Sequence, residues 1–333
     1  MSKGVWRIFV FGMILAALPA QLWAAPYYQG KTLRIVVGSR PGGGYDRISR
    51  LLAGHLPKYL PGKPTIIVEN VPGAASMIAA NNLYNMTKPD GLTIGTVNQG
   101  LPFAQMLKAP GVRFDIRKYA WIGSTAKEAS LFTVRSDLPY KSVSDLRKLK
   151  EPMPLGSSGP ENQNYQFPTL LKEFAGLNFK MITYPSATEG LLALERKEVD
   201  GQAGTYSSLT PYIKRGAIRP LIRGRITAPG IEHLPIDEDL ATDKRGKTLM
   251  ALRTAADTNA RPFIAPPKTP PEIMKMLRDA FAKVTKDPVF LAEAAKNYMS
   301  VDFVPAEESV KVLNFILSQP EEIVTEFGKY IKF

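Results

Sequence analysis

The 333-residue chain contains no cysteine. That absence excludes disulfides, thiolate metal sites, a cysteine nucleophile and lipid attachment at a leader's cleavage site. Histidine is nearly as scarce: His55 lies beside Leu56 in an amphipathic run and His233 lies in EHLP, positions that suit packing or surface roles rather than an acid–base pair. The nucleophile elbow GxSxG and the zinc motif HExxH are missing, and no spacing of Asp and Glu singles out a general acid and base. The expectation is a protein that is not an enzyme and that carries no metal or cofactor.

Clustered charge is missing too. Lysine and arginine outnumber acidic residues, 43 to 30, giving a formal charge of +13. The basic residues are scattered, without zinc-finger spacing or interleaved aromatics, so no nucleic-acid partner is expected. A basic surface instead concentrates small anions or favours an acidic partner. Beyond residue 25 no apolar run approaches the roughly 20 residues that a membrane-spanning helix needs.

What is present begins at the N-terminus. Lys3 and Arg7 flank an apolar run, Ile8 to Leu18, followed by Pro19, Ala20 and a small-residue end at Ala24-Ala25. This is the order of a secretory signal peptide. Residues 1–25 are therefore expected to be removed, leaving a soluble extracytoplasmic protein that starts near Pro26.

The remainder alternates strand-like and helix-like segments. Leu33 to Val37, Thr65 to Val68 and 92–97 read as strands, separated by a helical run carrying Ile48, Leu51, Leu52 and Leu56 and by a second helix, 77–86. The same grammar resumes with strands at 131–134, 179–184 and 201–205 and helices at 143–150, 165–174 and 187–196. Such alternation implies parallel sheets covered by helices, in two α/β units. Pro262 to Pro271 reads as a proline-rich loop, and 272–285, 288–296 and 305–330 as helices. Val310, Leu313 and Ile316 form a stripe suited to core packing. No repeat of fixed period is visible.

Two glycine-bearing turns follow the first two strands. PGGGYD, 41–46, lacks the spacing of a dinucleotide fingerprint, because Gly42, Gly43 and Gly44 are contiguous, and it lacks the lysine of a Walker A loop. A strand that feeds glycines into a helix start still exposes N–H groups at a positive helix end, which favours an anion, and a carboxylate fits. Gly73, Ala74, Ala75 and Ser76 repeat the arrangement. Each turn also has a plain backbone reading as a tight connection. Together they point to neighbouring loops at the carboxyl ends of strands, where open α/β sheets bind ligands.

KTLRIVVGSRPGGGYDRISRLLAGHL, PTIIVENVPGAASMIAANNLYN and KPDGLTIGTVNQG closely resemble the substrate-binding component of the tripartite tricarboxylate transporter family over residues 28–100. Weaker resemblance continues through PLGSSGP, ITYPSATEGLLALERKEVDG and FIAPPKTPPEIMKMLRDAF. The resemblance implies an α/β, two-lobed type 2 periplasmic binding-protein fold with mostly parallel sheets. Residues 26–120 plus 228–333 would form lobe one with bracing C-terminal helices, and 121–227 lobe two.

It further implies a monomeric periplasmic receptor that hands a small organic carboxylate to a permease of large and small membrane subunits. A sensing role toward a membrane receptor is the alternative. Carried onto this chain, the solute would meet Gly42, Gly43, Gly44, Tyr45, Asp46, Gly73, Ala74, Ala75 and Ser76 from one lobe. Ser157, Ser158, Gly159, Tyr184, Pro185, Ser186, Gly204, Thr205, Tyr206 and Ser207 would complete the clamp from the other. Arg40 and Arg225 are added as candidate carboxylate partners on the chemistry of the guanidinium. Asp46 suits the helix turn or a bridging water better than direct contact with an anion. Pro160-Glu161-Asn162 departs from the small residues common at that place in the family, which leaves room for a differently shaped or more polar solute.

Overall fold

A computed structural model describes residues 25–333, so all but the last residue of the expected leader lies outside the described residues. Eleven strands build two sheets: β1 (Thr32–Val37), β2 (Thr65–Asn70), β3 (Thr93–Thr96), β4 (Ala120–Ser124), β5 (Ser130–Arg135), β6 (Met153–Ser157), β7 (Phe179–Thr183), β8 (Gly201–Thr205), β9 (Ile218–Arg223), β10 (Pro262–Ala265) and β11 (Val304–Pro305). The first sheet runs β11-β4-β10-β3-β1-β2 and the second β7-β6-β8-β5-β9. The two-lobed α/β class is therefore present, with sheets that are mixed rather than mostly parallel.

The two sheets share one topology. In each, three successive strands pair in parallel, β1 with β2 and β3, and β6 with β7 and β8. Each then accepts an antiparallel strand belonging to a segment that crosses between sheets: β10 beside β3, and β5 beside β8. The crossing segments are themselves paired. Thr125 N donates to Arg261 O, Ala260 N to Ala126 O and Glu128 N to Asp257 O.

In β1 the sequence TLRIVV alternates as its pleat requires, burying Leu33, Ile35 and Val37 against the helix Gly44–His55. β10 corrects the expectation of a loop at Pro262–Pro271. Phe263, Ile264 and Ala265 are wholly buried in the middle of the first sheet, while Pro262 takes the first strand position, where a missing N–H is tolerated. The helix Leu101–Met106, the helix Lys244–Ala255 and strand β4 also went unread in the sequence.

Residues 237–255, which the expected division gives to lobe one, form two helices that pack on each other and on the second sheet's helix. The helix Lys244–Ala255 packs on the helix Gln163–Phe174 of the second sheet. Gly246 permits that approach: a Cβ there would lie 2.6 Å from the Phe174 Cβ. The C-terminal helices likewise serve both lobes. Ala306–Leu317 lies against β4, whereas Glu321–Tyr330 contacts Gln163–Phe174, so Ile316 and Phe327 share a core with Phe132 and Phe167.

Candidate ligand-binding cleft

The parallel register aligns Val37 with Asn70 and with Thr96, which brings the three following loops side by side at the carboxyl edge of the first sheet. In the first loop, Asp46 Oδ2 accepts a hydrogen bond from Gly42 N at 2.8 Å, Asp46 Oδ1 accepts one from Asn70 Nδ2 at 3.0 Å, and the carboxylate pairs with Arg50 at 2.9 Å. Burial alone would raise its pKa, but Arg50, the Gly42 N–H and Asn70 together hold it below the ordinary carboxylate range. Asp46 therefore braces the turn. The N–H groups of Gly43, Gly44 and Tyr45 have no protein acceptor among the described residues and open the twelve-residue helix Gly44–His55, where the helix dipole favours an anion.

The second loop is strained. Gly73, Ala74, Ala75 and Ser76 have φ of 134°, 43°, 48° and 76°, four successive residues on the side of the map that side chains resist. Ser76 holds the run in place: its Oγ donates to Gly38 O at 2.9 Å and accepts from Asn98 N at 3.0 Å. Its hydroxyl is thus committed to the scaffold, and the free donors of this loop are the backbone N–H groups of Ala74, Ala75 and Ser76. Gly38 makes the contact possible, since a Cβ there would fall 2.5 Å from both Cβ and Oγ of Ser76. Gly38→Ala is accordingly expected to destabilise the protein by about 1–3 kcal/mol through overpacking and to weaken solute binding by disturbing the loop. Chemical denaturation and calorimetry check the two effects, and an unchanged unfolding midpoint would contradict the packing argument.

On the second lobe, Ser158 N and Oγ both donate to Asn164 Oδ1, at 3.2 and 3.0 Å, while buried Ser157 donates to Ile182 O at 3.4 Å. Gly159 has φ 111°. The other expected residues divide. Ser207 N and Oγ donate to Glu128, and Thr205 exchanges a bond with Ser208 at 2.9 Å. Tyr184, Tyr206 and Arg225 are directed elsewhere: Tyr184 to Glu198 at 3.3 Å, Tyr206 to Pro229 O at 2.8 Å and Arg225 to Glu238. Ser186 caps the helix Ala187–Glu195, Pro185 and Arg40 are exposed, and Gly204 packs on Leu209.

Beside these loops, contacts between the lobes include three polar ones. Asn98 Nδ2 donates to Asn162 Oδ1 at 3.3 Å. Gln99 Nε2 donates to Asp257 Oδ1 at 2.8 Å, and Asp257 also receives Ser130 and pairs with Arg253. Arg261 pairs with Glu128 and donates to Ser207, with its guanidinium against Gly44: a Cβ on Gly44 would lie 3.5 Å from Arg261 Nε. Tyr45 closes the ring by accepting from Gln99 N at 3.0 Å. Burial pushes its phenol up to about 12, against the opposing pull of the Gln99 N–H and Arg261.

Charge behind the first loop is unbalanced toward positive. Arg47 lies close enough to Arg261 for its pKa to be lowered by burial and by that like charge, and its buried Nε has no partner. Glu128 faces both guanidinium groups. Glu128, Arg253, Asp257 and Arg261 all escaped the sequence reading. Arg261 was hidden by the proline-rich segment it precedes, which read as a loop; the others carry no local motif. No group of three or more potential metal ligands occurs among the described residues, and none of the described helices is long and apolar enough to cross a membrane.

Two lobes joined by paired crossings, with donor-bearing loops at facing sheet edges, define the periplasmic binding-protein class of fold. Within that class the chain belongs to the tripartite tricarboxylate transporter family receptors, whose family model matches residues 48–328. It is 28% identical over 333 residues to a UPF0065 protein of Bordetella pertussis, covering 97% of this chain and 96% of that one. A UPF0065 protein of Cupriavidus necator is 26% identical over 320 residues, 94% and 92% of the two chains.

Among solved structures, the periplasmic binding protein BugD superposes with a TM-score of 0.72 at 20% identity, covering 90% of this chain and 98% of its own. A Rhodopseudomonas palustris protein with adipate gives 0.72 at 19% identity, covering 89% and 97%. MatC of the same organism, with bound malate, gives 0.68 at 16%, covering 90% and 99%.

Proposed function

We propose that the chain is an extracytoplasmic solute-binding protein. It captures a small organic anion with at least one carboxylate between its lobes and delivers it, as a periplasmic monomer, to a permease of one large and one small membrane subunit. The observation that carries this reading is the pair of adjacent loops in which, among the described residues, the N–H groups of Gly43, Gly44 and Tyr45 and of Ala74, Ala75 and Ser76 lack protein acceptors, with Arg47 and Arg261 supplying positive charge behind the first. A desolvated carboxylate needs such donors or a compensating charge. Family membership and the malate and adipate bound by fold neighbours support the same chemistry.

The test is native mass spectrometry of protein purified from its host, followed by calorimetric titration with the compound found. Gly43→Val is the matching variant. Gly43 has extended backbone, φ −75° and ψ 173°, and a Cβ there would meet only Arg40 O at 3.8 Å. The fold should survive while the methyls obstruct the helix N-terminus, so affinity for the carboxylate is expected to fall at least about tenfold, or 1.4 kcal/mol. Binding of neutral sugars alone, or unchanged affinity in folded Gly43→Val, would refute the assignment.

A further inference from the structure

Anion capture leaves one carboxylate at the edge of the cleft without a role. Glu161 stands in the turn PENQ that leads into the helix Gln163–Phe174, half-buried. No lysine or arginine pairs with it among the described residues, and its hydrogen bond comes from Asn162 Nδ2 at 3.2 Å. That amide has a fixed orientation. Its Nδ2 also donates to Ser158 O at 2.9 Å, while its Oδ1 accepts from Asn98 Nδ2 at 3.3 Å across the gap between lobes. Glu161 is therefore one residue and one hydrogen-bond link from Asn98 of lobe one, whose N–H donates to Ser76.

The turn is shaped around the acid. Gly159 has φ 111°, and a Cβ there would lie 2.6 Å from Glu161 Oε2, so a side chain at 159 would expel the carboxylate from its place. The lobes thus bring unlike charge to the cleft: a guanidinium excess behind Gly44 in lobe one and an acid without a cationic partner over Gly159 in lobe two. A solute with a carboxylate at both ends would place one of them near Glu161 in a partly desolvated site, where like charges repel.

We propose that Glu161 is a specificity-determining residue that selects solutes carrying one carboxylate and, at the other end, a cationic or hydrogen-bond-donating group such as an ammonium. This rests on the carboxylate reading of the lobe-one loops. The experiment is calorimetric titration of the mature protein with length-matched pairs, butanedioate to hexanedioate against 4-aminobutanoate to 6-aminohexanoate, with pentanoate as the plain monocarboxylate.

The wild-type protein is expected to favour the amino member of the best-bound pair by about tenfold or more. Glu161→Gln and Glu161→Ser, each with an unchanged melting temperature, are expected to cut that preference by about tenfold, mainly through tighter dicarboxylate binding. A role confined to shaping the turn would shift both members of a pair alike. A wild-type preference for dicarboxylates, or a preference ratio that both variants leave unmoved, overturns the proposal while leaving carboxylate capture intact. Failure of every probe, pentanoate included, overturns carboxylate capture and the selector with it.

Discussion

Arg261→Met is expected to lower the unfolding free energy by about 3–5 kcal/mol, the cost of leaving a buried charge without its partner. Arg261 and Glu128 are 3% and 1% exposed. They are bonded to each other and to Ser207, and their segments are the two that cross between sheets. Methionine matches much of the arginine's volume, so packing is largely kept and the loss isolates the stranded Glu128 carboxylate. Glu128→Gln added to Arg261→Met should restore a large part of the stability, because the remaining amide is neutral.

Urea unfolding of the two single variants and the double variant gives the coupling directly. A loss below about 1 kcal/mol in Arg261→Met, the range of an exposed pair, would show that the pair is not desolvated. Because the guanidinium lies against Gly44, the same variant should also bind the solute more weakly, while Lys275→Met, whose ion pair with Asp279 is exposed, should change neither quantity much.

The second large effect concerns pH. Asp237 is 1% exposed, and its Oδ1 has no hydrogen-bond partner. Burial pushes its carboxyl up to about 7, Arg253 pulls against that rise, and neighbouring Glu238 and Asp257 add to it. The folded state therefore holds this proton through a range in which the unfolded chain, titrating near the ordinary carboxylate value of 3.8, has released it. Native protein binds more protons between those limits, so stability falls as pH rises from about 4 to about 7. At about 1.4 kcal/mol per unit, this one group costs on the order of 4 kcal/mol above pH 7 relative to acid conditions.

Asp237→Asn removes the titration and keeps the shape. It is expected to raise stability at pH 8 by about 2 kcal/mol or more, allowing for imperfect replacement of the acid by an amide. It should leave stability near pH 4 little changed and flatten the profile between. Unfolding midpoints measured across that range decide the matter; a variant no more stable than wild type at pH 8 would mean that Arg253 keeps Asp237 ionised in the folded protein.

Much of this architecture was legible in the residues because its signals are local. TLRIVV shows its buried face by alternation, and the glycines of PGGGYD mark a strand-to-helix turn whatever lies around them. Asp46 could be placed as a turn brace from charge alone, since an acid beside a helix start serves the turn's donors better than an anion, and it does accept from Gly42 N. β10 failed as a sequence reading for the opposite reason. Five prolines between 262 and 271 outweigh three apolar residues locally, yet those three enter the sheet between β3 and β4 because strands distant in sequence form the slot.

The donors of the two loops, the α/β grammar and the family resemblance were thus determined by short-range pattern, since backbone conformation at glycine and hydrophobic periodicity act over a few residues. Which side chains remain free for a solute was decided by tertiary structure alone. Ser76, Tyr184, Tyr206 and Arg225 read as ligand partners one at a time; the fold adds a bond from each to Gly38, Glu198, Pro229 and Glu238 respectively. The Arg261–Glu128 pair arises in the same way: its members stand 133 positions apart in sequence and meet because folding brings the two crossing segments together, and a buried charge finds its partner by proximity in space, which no local pattern encodes.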